Sequence, residues 1–201
     1  RPLLHALGLH PSVVRSPFMA PRSILNRQIT SRRRLASHEF SLPAVTSAAK
    51  AAGSTMNDVV LMICASALRR YLAERDALPQ ESLVTWMPIS TRSEEDQRPS
   101  NQITMACVSL ATEIADPLQR FRAIQASALA AKQEVIDRSR AVTEWVTLWR
   151  GGLPVLTNLL GVDHLLSPAA NLTISNVPGI NKHFYFHGAK LEGIYPLSVC
   201  V

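Results

Sequence analysis

Acidic side chains are missing from the first 38 residues, which carry seven arginines (1, 15, 22, 27, 32, 33 and 34). The remainder holds 14 basic and 15 acidic side chains, so the net charge of +6 is a local excess. Aromatic residues are scarce, at 5%, and no nucleic-acid module signature is present, which argues against nucleic acid as the partner. A basic arm of this kind suits anionic lipid, a phosphate-bearing substrate, or solvent alone. Cysteine is also sparse. Cys64, Cys107 and Cys200 are odd in number, far apart and set in apolar runs, which excludes a disulfide frame or a zinc site. They read as buried thiols of a reducing, cytosolic compartment. No apolar run approaches the ~20 residues of a membrane span. Arg1 to Ala20 has no continuous apolar h-region, so no secretory signal is expected there. No internal repeat is visible.

What remains is a globular chain of 201 residues, 47% hydrophobic and 18% charged, long enough to bury a core. Arg1 to Asn26 holds four prolines and reads as a connecting arm. Gln28 to Phe40 has extended character around Arg32-Arg33-Arg34. Leu42-Pro43 opens a short Ala-rich helix that Gly53 ends. Ser54 or Thr55 caps the next helix, where Thr55-x-x-Asp58 has the form of a capping box and Val59, Val60, Met62, Ile63, Ala67 and Leu68 form the apolar face. Strands are expected at Ser82 to Ile89 and Ile103 to Leu110, with a polar loop at Thr91 to Ser100. Asp116-Pro117 starts a long helix that runs toward Trp149, and Gly151-Gly152 breaks it. Pro154 opens another helix. Strands follow at Leu172 to Val177 and Phe184 to Phe186, with a last segment near Ile194. Strands alternating with helices indicate an α/β architecture.

The sharpest local feature is Thr173-Ile174-Ser175-Asn176-Val177-Pro178-Gly179. A β-branched run ends in polar residues, and Pro178 fixes its own φ and holds Val177 extended. Gly179 can take φ > 0 or admit a ligand close to the backbone. A strand then delivers Ser175 and Asn176 to a sheet edge. Taken alone, the segment is equally a plain strand exit.

Read in order, Ile24-Leu25-Asn26, Arg32-Arg33-Arg34, Asn57-Asp58-Val59-Val60-Leu61, Pro88-Ile89-Ser90, Asn101-Gln102-Ile103, Ser175-Asn176-Val177-Pro178-Gly179 and Tyr195-Pro196-Leu197-Ser198 resemble the bacterial wax ester synthase/acyl-CoA:diacylglycerol acyltransferase family. The resemblance runs from about Arg22 to the end. It implies a chloramphenicol-acetyltransferase-like α/β fold, the CoA-dependent acyltransferase type. This chain would be one lobe with a mixed sheet flanked by helices, incomplete without an N-terminal lobe. It implies residues 1–41 as a basic inter-lobe connection with a first strand, and residues 42–201 as a C-terminal lobe truncated before its final strands. It also implies transfer of a fatty acyl group from acyl-CoA to diacylglycerol or a long-chain alcohol, with acyl-CoA as co-substrate and no cofactor or metal.

The family's catalytic motif is His-His-x-x-x-Asp-Gly, and this sequence contains no Asp-Gly pair. The segment His183 to Gly188 imitates it in the wrong half and is rejected. His183 and His187 are read instead as structural histidines on one strand face. No catalytic residue is therefore expected in this chain, which alone should be inactive and poorly soluble. The catalytic histidine would come from the N-terminal lobe. Substrate-binding or supporting roles fall on Asn57, Asp58, Ser90, Arg92, Asn101, Ser175, Asn176, Pro178 and Gly179. Asp58 reads first as a helix cap, with a hold on an arginine of the other lobe as the alternative. Asn57 has the better claim to the tunnel. Asn176 and Ser175 suit donation toward a thioester, or turn stabilisation. Arg92 suits a coenzyme A phosphate, or solvent. Asn101 follows Ser100, where the family tends to have Gly. Trp145, Leu148 and Trp149 read as a core stripe, with membrane contact or an acyl site as the alternative.

The expected location is the cytoplasm, peripheral to membrane or lipid inclusions, with a homodimer left open. A rival reading is a non-catalytic acyl-CoA- or lipid-binding or interaction protein on the same fold. A third is an acyltransferase of that fold acting on polyketide- or peptide-linked substrates.

Overall fold

The computed structural model describes residues 20–27, 30–90, 103–137, 152, 156, 157, 159, 167–177, 179 and 183–195. Helix α1 (Leu42–Ala51) carries Pro43 in its first turn, where a missing N–H costs nothing. It ends before Gly53, whose φ of +57° is a left-handed turn that glycine adopts without a Cβ clash. Helix α2 (Met56–Ala73) follows. The Thr55 N–H and hydroxyl donate to Asp58 Oδ2 at 2.9 and 2.7 Å, and the Asp58 N–H donates back to Thr55 Oγ1 at 3.3 Å. This is the capping box expected from Thr55-x-x-Asp58.

Strand β1 (Val84–Ser90) pairs antiparallel with β2 (Ile103–Ser109), placing Trp86 opposite Cys107. Helix α3 (Pro117–Asp137) then starts where Asp116-Pro117 predicts, with Asp116 Oδ1 accepting from the Gln119 N–H at 2.7 Å. Strand β3 (Leu172–Thr173) returns parallel to β1 on its free side, giving the order β2-β1-β3. A separate hairpin joins β4 (Tyr185–Phe186) to β5 (Ala189–Lys190).

Helices α2 and α3 cover one face of the β1–β2 pair. Leu61, Leu72, Leu83, Val108, Leu110 and Ile124 are each at most 1% exposed there, and such side chains stabilise by roughly 1.5–3 kcal/mol apiece. Hydroxyls settle the polar groups at the edge of this core. Ser109 Oγ donates to Ser82 Oγ at 2.7 Å, Ser127 Oγ accepts from the Ser109 N–H at 2.9 Å, and Thr112 Oγ1 accepts from the Leu83 N–H at 2.9 Å.

One charged residue reaches into the same region. Arg120 is 5% exposed and donates to the Ile114 and Ala115 carbonyls at 2.6 and 3.1 Å and to Ser66 Oγ at 3.2 Å. Arg69 donates to the Thr112 carbonyl. The two guanidiniums thus tie the turn after β2 to α2 and α3. Burial, then the neighbouring Arg69 charge, lower the Arg120 pKa, and Asp116 opposes them. Burial also pushes the half-buried Cys64 thiol up.

Several expectations change. The Leu172 to Val177 strand pairs only at Leu172 and Thr173, after which Ile174 makes one further bond to the Trp86 carbonyl at 3.0 Å. Ser175, Asn176 and Val177 are exposed beyond the ladder. His183 and His187 do not share a strand face. His187 sits in the hairpin turn at φ +47° beside Gly188 at +81°, the left-handed pair of a type I′ turn. Residues 30–41 form no strand, and 191–195 add none beyond β5. The loop 91–100, the helix beyond 140 with Trp145 to Trp149, most of the segment Pro154 to Leu166, and Cys200 lie outside the described residues. Among the described residues no single helix is long and apolar enough to cross a membrane.

Candidate functional site

Because β1 and β3 run parallel, both chains leave the sheet at the same edge, the edge where open α/β sheets hold ligands. Ser90 closes β1 there, and Ser175 and Asn176 follow β3 there. The N-terminus of α2 comes to the same place. Asn57, in its first turn, accepts a hydrogen bond on Oδ1 from Asn176 Nδ2 at 2.8 Å, across 119 residues of sequence. The structure therefore joins two of the residues singled out from the sequence. No other bond to either amide is formed among the described residues, which leaves the Asn57 Nδ2 hydrogens and Asn176 Oδ1 without a described partner.

The remaining candidates divide. Asp58 is 7% exposed and spends its carboxylate on the Thr55 cap, so it acts first on helix α2. Its negative charge in the first turn also meets the positive end of the helix. Ser175 is exposed next to Asn176. Gly179 does not adopt a positive φ, and a Cβ there would meet nothing within 4 Å, so its backbone is open on that side. Arg92, Asn101 and Pro178 lie outside the described residues. Two open grooves, of about 410 and 620 Å³, are lined by Leu42, Pro43, Thr46, Ser47 and Lys50, and around Pro21 and Gln80; neither includes the Asn57–Asn176 pair. Among the described residues no group of three His, Cys, Asp or Glu could hold a metal ion.

A residue not singled out from the sequence anchors the other, amino end of β3. Asn171 is 6% exposed and stands immediately before β3. Its N–H donates to the Val84 carbonyl at 2.8 Å, and its Oδ1 accepts from the Val84 N–H at 2.8 Å. Its Nδ2 donates to the Pro21 carbonyl and to Asn26 Oδ1, both at 2.7 Å. The only sequence signal was a polar residue at a strand entry, which is also the commonest surface pattern.

Comparison with known proteins gives the family. A profile described as the WS/DGAT C-terminal domain matches residues 100–201, and one described as the wax ester synthase/diacylglycerol acyltransferase catalytic domain matches residues 4–60. The chain belongs to the wax ester synthase/diacylglycerol acyltransferase family. It is 38% identical over 195 residues to the O-acyltransferase WSD of Acinetobacter baylyi, covering 96% of this chain and 42% of that one. It is 39% identical over 183 residues to a Mycobacterium tuberculosis protein named as a diacylglycerol O-acyltransferase, covering 91% and 41%. The solved wax ester synthase/diacylglycerol acyltransferase of Marinobacter aquaeolei VT8 superposes with a TM-score of 0.70 at 33% identity, covering 87% of this chain and 39% of that one. The chain thus spans about two fifths of the length of these relatives. The mixed sheet with its helices is the fold of this acyltransferase family, as the motif order implied. Both side-chain amide links, Asn57–Asn176 and Asn26–Asn171, run from the segment matching the catalytic-domain profile to the segment matching the C-terminal one.

Proposed function

We propose that this chain is part of an O-acyltransferase that moves a fatty acyl group from acyl-CoA to diacylglycerol or a long-chain alcohol, in triacylglycerol or wax ester synthesis. The observation that carries the reading is the 2.8 Å contact between Asn57 and Asn176 at the carboxyl edge of the sheet, in a member of this family. A histidine of the N-terminal lobe takes the proton of the acceptor hydroxyl as its oxygen attacks the thioester carbonyl. The tetrahedral oxyanion then collapses, the C–S bond breaks, and the histidine returns the proton to the coenzyme A thiolate. Fixed amide donors suit that oxyanion because they cost no reorganisation. The Asn57 Nδ2 hydrogens, on an amide steadied by Asn176, would be such donors. Arg92 and the basic arm would meet coenzyme A phosphates. The protein would work in the cytoplasm against a membrane or lipid inclusion, where its apolar substrates collect.

The test is acyl transfer from a long-chain acyl-CoA to hexadecanol and to diolein by the full-length protein. Asn57→Ala and Asn176→Ala should each lower kcat, with Asn57→Ala losing on the order of 10²–10³-fold if its amide meets the oxyanion. A folded wild-type protein that binds acyl-CoA and transfers nothing to either acceptor would favour the non-catalytic binding reading instead.

A further inference from the structure

The segment 171–177 is held at two points by amide side chains. The exposed point is Asn176 on Asn57, and the buried point is Asn171 on Asn26. The buried point is the more fully bonded. Asn171 supplies a donor and an acceptor to Val84 as a strand neighbour would, and both of its Nδ2 hydrogens go to the arm, on Pro21 and Asn26. Only a side-chain amide offers two donors and an acceptor in that geometry. An aspartate would set an oxygen against two acceptors, and an apolar residue would leave the buried Val84 N–H unpaired. Asn26 returns the link by donating to the Ala170 carbonyl at 3.2 Å. Its own place is fixed by a single 3₁₀ turn, Ile24–Asn26, capped by Ser23, whose Oγ accepts from the Leu25 N–H at 3.0 Å. A fourth bond between the arm and this segment, from the Ala20 N–H to the Pro168 carbonyl at 3.2 Å, runs beside these.

We infer that the Asn26–Asn171 pair is a positioning device: it sets where β3 begins on β1, and therefore where Asn176 meets Asn57. Pairing starts at Leu172 opposite Thr85, one residue after Asn171, and lasts only two residues. So short a ladder has little register of its own, and a slip of one residue would turn Asn176 to the other face. The bonds of Asn171 remove that freedom. Neither Asn26 nor Asn171 touches substrate; both act through Asn176. The inference rests on the site reading proposed above, but it can be tested apart from it.

The experiment compares Asn26→Ala, Asn171→Asp and Asn176→Ala, with the double variant of Asn26→Ala and Asn176→Ala, in the full-length protein. Asn26 is exposed, so its truncation should leave the protein folded. Asn26→Ala and Asn171→Asp should lower kcat by roughly 10- to 100-fold, the scale of an ångström-level misplacement. The KM for acyl-CoA should stay within about twofold, since ground-state binding is not lost. The double variant should be no slower than Asn176→Ala alone, because the two residues act in series. Independent, additive losses would overturn the inference. Hydrogen exchange gives a readout free of activity. In Asn26→Ala, the Ile174 amide should exchange faster while β1 and β2 keep their protection, and unchanged Ile174 protection would overturn the inference. If Asn57→Ala and Asn176→Ala both turn over like wild type, the site reading fails, and the exchange result still decides whether the pair positions this segment.

Discussion

The helix-covered sheet and the surface formed by residues 30–41 and 183–195 use similar side chains and place them oppositely. Leu72, Val108 and Ile124 are fully buried, whereas Phe184, Tyr185 and Phe186 are 50%, 64% and 78% exposed, and Leu35 and Phe40 are 65% and 58% exposed. The first region makes its own environment: two helices close one face of a seven-residue strand pair, and the buried apolar residues between them form one cluster, while Leu118, Leu129 and Ile136 stay exposed on the outer side of α3. The second region consists of two-residue strands and an arm without regular structure, joined by a Tyr195 hydroxyl bond to Glu39 at 3.4 Å; within the arm, His38 makes an edge-to-face contact with Phe40. A hairpin that small draws little stability from itself. An apolar surface of this kind marks contact with another protein face or with lipid, which suits the proposed lobe and substrates. The contrast teaches that burial specifies the sheet and helices, while turn chemistry alone specifies the hairpin.

The largest effect that would sharpen the contrast is a pair of truncations. Leu61→Ala, at a position 1% exposed, should lower the unfolding free energy by about 2–5 kcal/mol, since it removes buried area and leaves a cavity. Phe186→Ala, 78% exposed, should change it by no more than about 0.5 kcal/mol. Urea denaturation of the two variants measures both. A Phe186→Ala loss as large as that of Leu61→Ala would show the hairpin bound into the same cooperative unit, and the comparison would fail.

A smaller effect separates buried charge from surface charge. Arg120→Met removes the bonds to the Ile114 and Ala115 carbonyls and to Ser66, and should cost about 1.5–3 kcal/mol. Lys190→Met breaks only an exposed ion pair with Glu192 at 3.3 Å and should cost under about 1 kcal/mol. The pH dependence follows from the lowered Arg120 pKa. The folded state holds that proton less tightly than the unfolded chain, so any gain in stability comes only as pH rises into the guanidinium range. Below that range the Arg120→Met loss should be flat with pH, because arginine stays charged in both states. Denaturation midpoints followed from acid to mildly alkaline pH check this, and a loss that vanished near neutrality would mean another group carries the interaction.

How far each feature could be read from the sequence follows the range of its cause. Asp116-Pro117, Gly53 and Thr55-x-x-Asp58 act within one turn, and the helix boundaries they imply are where they should be. The β1 and β2 strands were legible because both are long and their apolar positions face one helical layer. The end of β3 was not, because the residues after Thr173 keep a strand-like composition while the partner β1 offers them no ladder. The hairpin turn has only a weak local sign: histidine is less distinctive at positive φ than glycine, and the spacing of His183 and His187 suggests a shared strand face instead. Asn57 and Asn176 were legible as family residues, but the bond between them spans 119 positions and has no local sign. Asn171 and Arg120 share that difficulty in part, since Asn26 lies 145 residues from Asn171 and Ser66 lies 54 from Arg120. A buried amide or guanidinium is indistinguishable from a surface one until the fold brings its acceptors.

The smallest effect tests whether the hairpin opens independently of the sheet. Gly188 sits at φ +81° with open space where a Cβ would go, so the cost of a side chain there is conformational and not steric crowding. Gly188→Ala should destabilise the β4–β5 turn by about 1–2 kcal/mol. If a hairpin this small opens at a cost below that penalty, the closed form empties first, and the loss in the global transition is capped at the opening free energy. The expected outcome is a several-fold faster amide exchange across 185–190, with the urea midpoint falling by no more than the hairpin's small opening free energy. A midpoint that falls by the full penalty, with exchange across 185–190 matching that of β1 and β2, would instead place His187 and Gly188 inside the cooperative core, and would require that Phe184 and Phe186 gain burial on a surface that the described residues leave open.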